Sequence, residues 1–164
     1  MAIITPRTLS GFMELAPKDQ ILFEKVKQKL EETYQMFGFF PIDTPVLEHS
    51  NILLAKAGGE TEKQIYRFNK GDTDMTMRFD LTVPLAKYAG ELTFPFKRYQ
   101  IGKVYRGERA QQGRFREFYQ ADIDIIGDEN LSIANDAEVP SIMYRVFTGL
   151  GLSDFTIRIN NRKI

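Results

Sequence analysis

The first sustained pattern along the chain is helical: Leu22, Val26, Leu30, Thr33, Tyr34 and Phe37 recur at spacings of three and four, with Lys and Glu on the opposite face. Gly38 supplies a stop, so the spacing predicts one amphipathic helix after an irregular lead-in over 11–17. The next stretch, FFPIDTPVLE, alternates but is interrupted by Pro41 and Pro45, which confine a strand to an edge or to pairing that does not use those amides. A short helical segment from Ser50 to Glu60 is expected to end at Gly58-Gly59. A hairpin follows, with strands over 64–68 and 73–80 turning through Asn69-Lys70-Gly71-Asp72. In its second strand Met75, Met77, Phe79 and Leu81 share an apolar face, and Thr76, Arg78, Asp80 and Thr82 share a polar one.

Two longer strand-like runs, Arg98 to Arg106 and Phe115 to Ile126, flank a polar segment that contains Gly107 and Gly113. On the second run Tyr119, Ala121, Ile123 and Ile125 form a face apolar enough to pack on helices, while Arg116, Phe118, Gln120, Asp122 and Asp124 form a face suited to a wet pocket. On the first, Arg98, Gln100, Gly102, Val104 and Arg106 share a side, with Gly102 at a point where a ligand could approach the backbone closely. Ile142, Val146, Phe147 and Leu150 predict a helix over 134–150, and Pro140 within it predicts a kink or a late start near Ser141. FTIRINN, beginning at Phe155, reads as a strand. The fold class expected from these elements is α+β, an antiparallel sheet flanked by helices, in one domain or a large part of one.

Charge changes the picture at one place. The chain is neutral, with 22 Lys and Arg against 22 Asp and Glu, which argues against broad nonspecific binding to nucleic acid. Between Lys97 and Arg116, however, seven cations (Lys97, Arg98, Lys103, Arg106, Arg109, Arg114 and Arg116) face the single acid Glu108, a net of +6. Such a hairpin suits a polyphosphate or an RNA end. The chain has no cysteine and a single histidine, His49, so disulfides, thiolate-bound zinc and a Ser/His/Asp triad are excluded, and His49 reads as incidental. Any metal would be held by oxygen ligands. No apolar run of 18 residues or basic-then-apolar leader occurs, so no membrane span or secretory signal is indicated and a cytoplasmic location is the expectation.

The spacing Arg106-x-Glu108 followed by Arg114-x-x-x-Phe118 is similar to motif 2 of the class II aminoacyl-tRNA synthetases, and RGERAQQGRFREFYQADIDIIG resembles its histidyl-tRNA synthetase form. The resemblance covers nearly the whole chain, with motif 1 at about 18–48 and motif 2 at about 97–127. It implies ATP, with Mg2+, histidine and tRNA(His) as partners, and a homodimer formed through motif 1. By the same resemblance Arg106 would contact the α-phosphate and be the catalytic residue, Arg114 the terminal phosphates, and Glu108 the adenine side of the nucleotide or the loop, while Phe118 would stack on adenine. MRFDLTVPL resembles the segment that holds the amino group of histidine, which implies Asp80 and Thr82, and Gln120 and Asp124 match residues at the same end of the substrate. A carboxylate and a hydroxyl both accept hydrogen bonds from an ammonium, the former with charge assistance. Arg109 and Arg116 read as solvated surface side chains, and Asp122 has no assigned role.

Motif 3, an arginine-bearing histidine loop and an anticodon-binding domain have no counterpart here, so the resemblance implies the amino-terminal part of a longer catalytic domain, inactive by itself. Two alternatives remain: a noncatalytic synthetase-like regulatory subunit of ATP phosphoribosyltransferase, which keeps the fold and can lose the ATP-binding residues, and an RNA-binding module using the basic hairpin.

Overall fold

A computed structural model describes residues 5–55, 58–109, 111–129 and 131–160. Its elements are α1 (Pro17–Met36), β1 (Phe40–Pro41), β2 (Leu47–His49), α2 (Ser50–Leu54), α3 (Gly59–Gln64), β3 (Arg67–Lys70), β4 (Thr73–Met77), α4 (Thr82–Ala86), a 3-10 turn (Ala89–Glu91), β5 (Phe96–Tyr105), β6 (Glu117–Ile126) and α5 (Ala134–Gly149). Two three-stranded sheets form, ordered β1-β5-β6 and β2-β4-β3. The chain divides into two compact units, one of Met1–Ala16, Ile42–Leu92 and Gln100–Asp122, the other of Pro17–Pro41, Thr93–Tyr99 and Ile123–Ile164. Strands β5 and β6 contribute residues to both.

In the second unit α1 starts with Pro17 in its first turn, where a missing amide costs nothing, and ends before Gly38, whose φ of +78° is the left-handed conformation that glycine adopts without strain. Its buried Thr33 and Tyr34 lie on the side that meets α5 and β5: the Tyr34 ring centroid is 5.5 Å from that of Tyr99, and Gln35 Nε2 donates to the Tyr99 hydroxyl at 2.8 Å. Helix α5 spans Ala134–Gly149, close to the expected 134–150, and runs through Pro140; of the two expected effects of that proline, the late start near Ser141 does not occur. An interior proline costs about 3 kcal/mol. Ile142 and Val146 are both buried, and burial of two such side chains at about 1.5–3 kcal/mol each outweighs that cost. The strand expected in FTIRINN is absent from the described residues 155–160; Phe155 instead lies against the rings of Tyr144 and Phe147, with centroids 5.7 and 5.2 Å away.

In the first unit β3 and β4 form the expected hairpin, but the pairing of Lys70 with Thr73 shortens its turn to Gly71-Asp72, and residue 64 belongs to α3 rather than to the strand. Gly58-Gly59 does not end a helix; α3 begins there. The proline-bearing stretch is not one strand. Its first part, β1, pairs in parallel with β5 at the edge of one sheet, and its second, β2, pairs antiparallel with β4 at the edge of the other. Pro41 thus sits in an edge strand, as its missing backbone donor requires, and Pro45 falls before β2 begins.

The polar row of β4 is the more buried one. Thr76 and Arg78 are 0% and 4% exposed, whereas Met75 and Met77 are half-buried. Arg78 explains this inversion: Nε donates to the Lys103 carbonyl at 2.7 Å, Nη1 donates to the Thr44 carbonyl at 2.6 Å, and the Asp43 carboxylate stands 3.6 Å from Nη1. Its backbone joins the same elements through Arg78 N to Val46 O and Tyr105 N to Arg78 O. The close approach anticipated at Gly102 is therefore made by this arginine; a Cβ there would lie 2.6 Å from Arg78 Nη2. Leu53, Leu81, Leu85 and Val104 form the apolar core of this unit.

Candidate active site

The cationic hairpin sorts its seven charges by partner. Lys97 pairs with Glu138 at 2.6 Å, Arg98 is fully buried against Asp124, and Lys103 pairs with Glu117 at 2.8 Å. The hydrogen bond from Lys103 to Glu117 raises the lysine pKa above its ordinary value, so this ammonium is committed to a neighbouring carboxylate. Burial likewise raises the adjacent Tyr105 hydroxyl, which stays neutral. Arg116 is not a solvated surface side chain: it is half-buried, Nε donates to the Glu108 carbonyl at 2.9 Å and Nη1 to the Ser10 carbonyl at 3.4 Å. Its backbone amide and that of Glu117 donate to Gly11 O, which ties the lead-in segment to the start of β6. Arg109 is exposed.

Arg106 and Arg114 are left facing a cleft of about 390 Å³, lined by Arg106, Glu108, Gly113, Arg114, Phe115 and Phe118. Arg106 follows the end of β5, where its amide donates to Arg116 O at 2.9 Å and fixes its place against β6. Its Nε donates to the Phe79 carbonyl at 3.2 Å, and its guanidinium carbon lies 4.5 Å from the Phe79 ring centroid and 5.1 Å from that of Phe118. Arg114 is the exposed counterpart, with a side chain 63% exposed and a 3.4 Å contact to Glu108. Two backbone anchors hold the loop at its base: Gly107 N donates to Gln64 O at 2.6 Å, and Arg116 grips the Glu108 carbonyl. The result is one fixed and one reachable guanidinium on a rim that also carries an aromatic ring. Guanidinium forks of this kind bind phosphate oxygens in pairs, and the ring can stack a base.

The residues expected around an ammonium are placed less uniformly. Thr82 is not on a strand face; it is the first residue of α4 and is exposed. Asp80 Oδ1 accepts the amides of Thr82 and Val83, at 3.1 and 2.9 Å, and so caps that helix as well as offering a carboxylate. Gln120, half-buried on β6, has a buried Oε1 on which no donor falls among the described residues. Asp80, Thr82 and Gln120 belong to the first unit. Asp124 belongs to the second, where it carries the charge of Arg98. Among the described residues no three His, Cys, Asp or Glu side chains cluster as a metal cage.

Two expectations for β6 fail: Tyr119 and Ala121 are exposed rather than packed on helices, with Tyr119 lying under Lys103 at 5.8 Å. Phe79 and Arg78 were missed as parts of the site's framework. Alternation showed them only as neighbours on opposite faces just after β4, ahead of Asp80, and gave no signal of the contacts they make.

Residues 11–164 match the family model described as histidyl-tRNA synthetase. The chain is 65% identical to a histidine--tRNA ligase of Clostridium tetani over 99% of its own length and 38% of the relative's. Among solved structures, a histidyl-tRNA synthetase from Nostoc sp. PCC 7120 superposes with a TM-score of 0.84 at 41% identity, covering 96% of this chain and 37% of that one. A structure described as an ATP phosphoribosyltransferase regulatory subunit/histidyl-tRNA synthetase from Bacillus halodurans, at 24% identity and a TM-score of 0.77 over 93% of this chain and 40% of that one, shares the fold. The chain thus spans about 38% of the length of the curated relatives it matches.

Proposed function

The chain belongs to the histidyl-tRNA synthetase family, and on that premise we propose that it supplies the motif 2 half of a histidine-activating site in a longer protein. The supporting observation is the cleft in which Arg106, Glu108, Arg114 and Phe118 converge. ATP lies there with adenine on Phe118 and its phosphates toward the two arginines. The histidine carboxylate attacks the α-phosphorus, the bond to the bridging oxygen breaks, and pyrophosphate leaves with its electrons. Charge on the phosphorus oxygens grows as this happens, and Arg106, already fixed by backbone, is the group that stabilises it. Neither reactant needs a protein nucleophile, so positioning and electrostatics carry the step.

Mg2+ would accompany the nucleotide, held by its phosphate oxygens, and Glu108 would face the adenine side of the nucleotide or the loop. Asp80, Thr82 and Gln120 would accept the histidine ammonium, while Asp124 neutralises Arg98. Transfer of histidine to tRNA(His), a homodimer built through the 18–48 segment and a cytoplasmic location complete the reading. The exposed Phe40, stacked at 6.3 Å on Phe96, gives that segment an apolar surface suited to a partner.

The test is histidine-dependent exchange of pyrophosphate into ATP by the full-length protein. Arg106→Ala is expected to lower it about a hundredfold or more, the scale for removing a donor to transition-state charge. Exchange near the wild-type rate would overturn the assignment of the cleft.

A further inference from the structure

We propose that Phe79 is a positioning residue for Arg106, a role that rests on reading Arg106 as the α-phosphate ligand. No carboxylate among the described residues lies within ion-pair distance of Arg106. Three contacts orient it, and Phe79 supplies two of them, the third being the Phe118 ring at 5.1 Å. The Phe79 carbonyl accepts Nε–H at 3.2 Å, and the Phe79 ring lies 4.5 Å from the guanidinium carbon. With Nε occupied, the two Nη groups are the ones left to present a planar fork to an anion.

The choice of a ring over a carboxylate has a chemical reason. A carboxylate would orient the guanidinium equally well but would cancel the charge a phosphate requires. The negative face of an aromatic ring attracts the cation and leaves its full charge available.

Phe79 is itself held on both sides. Arg78, its predecessor, donates its amide to Val46 O at 2.8 Å and accepts from Tyr105 N at 3.0 Å, so the Phe79 backbone starts from a fixed point. Asp80, its successor, caps α4 through Oδ1. The carbonyl that steers Arg106 is therefore one residue away from the carboxylate assigned to the histidine ammonium. Phe79 sits where the two substrates' binding elements meet in sequence, and both its carbonyl and its ring engage the arginine on the nucleotide side.

The experiment compares Phe79→Leu, which keeps apolar bulk and loses the ring, with Phe79→Tyr, which keeps the ring. Both are measured by pyrophosphate exchange in the full-length protein, with Arg106→Ala alongside. Phe79→Leu is expected to lower kcat/KM for ATP about three- to thirtyfold, the range of a cation–π contact, while KM for histidine stays within about twofold. Phe79→Tyr is expected to match the wild type. Wild-type exchange by Phe79→Leu, while Arg106→Ala is impaired, would overturn the inference and leave the cleft assignment intact. Equal loss in the Leu and Tyr variants, or an equal rise in KM for histidine, would reduce Phe79 to a packing residue. A silent Arg106→Ala would remove the cleft assignment and the inference together.

Discussion

Replacing Gly102 with alanine adds a single methyl group to the middle of β5, and its cost depends on whether Arg78 can move. The new Cβ would stand 2.6 Å from Nη2 and 3.4 Å from the guanidinium carbon of Arg78. Restoring ordinary contact needs a shift of about 0.8 Å. An exposed arginine would make that shift freely; Arg78 is 4% exposed and held by bonds of 2.7 and 2.6 Å to two backbone carbonyls. A displacement of that size takes both bonds out of good geometry, and each charge-assisted bond contributes about 1.5–3 kcal/mol. Partial relaxation leaves an expected destabilisation of about 2–4 kcal/mol. Native-state hydrogen exchange at the Tyr105 amide, bonded to Arg78 O, reads this locally without requiring the whole protein to unfold in one step. The decisive comparison is a double-mutant cycle. In an Arg78→Ala background the methyl group meets only Leu81 Cδ2, at an ordinary van der Waals distance of 3.6 Å, so Gly102→Ala should add less than about 0.5 kcal/mol there. Additive costs in the two backgrounds would refute the claim that glycine is required by the arginine.

Asp80→Asn and Asp80→Ala should separate two roles of one side chain. Asparagine keeps an oxygen for the Thr82 and Val83 amides and should weaken histidine binding with α4 intact, whereas alanine should also cost about 1 kcal/mol at the helix start. KM for histidine against KM for ATP, with exchange protection at Val83, checks both; equal loss for the two substrates would contradict the division of the site. Asp74, held by a hydrogen bond from Arg67 and a second from Ser50, has its carboxyl lowered to about 2. Since the folded-state pKa is depressed, its contribution is present above the ordinary carboxylate value and is lost as pH falls toward 2. A carboxyl titration of Asp74 by NMR with a midpoint near 4 would contradict this.

The elements that could be read from the sequence were those whose signal is local. Helix α1 shows its own period and its own stop, and the β5-β6 hairpin shows two long runs around a polar loop, so both were legible, as was the loop that carries Arg106 and Arg114. What failed depended on partners. FFPIDTPVLE reads as one strand until β5 and β4 each claim a piece of it. Pro140 reads as a kink or a late start until α1 is present to reward a helix that begins at Ala134, and 155–160 reads as a strand although no neighbouring strand takes it up among the described residues. The polar row that begins in β4 was legible as a face but not as a buried one, because alternation gives faces and says nothing of which face other segments cover; Arg78 is buried because carbonyls from residues 44 and 103 come to meet it. Arg116 was misjudged for the same reason, since its acceptors at residues 10 and 108 lie on other segments.

The two anchors at the base of the β5-β6 loop bear on how such a protein can change over generations. Gly107 is tied to Gln64 and the Glu108 carbonyl to Arg116, so the stretch that follows is insulated from the strands that carry it. Residues gained or lost between Arg109 and Gly113 would lengthen or shorten the reach of Arg114 while Arg106, upstream of both ties, kept its place. On the proposed reading of the cleft, lineages can then diversify their hold on the outer phosphates by insertion and deletion, while inheriting unaltered the charge nearest the reacting phosphorus.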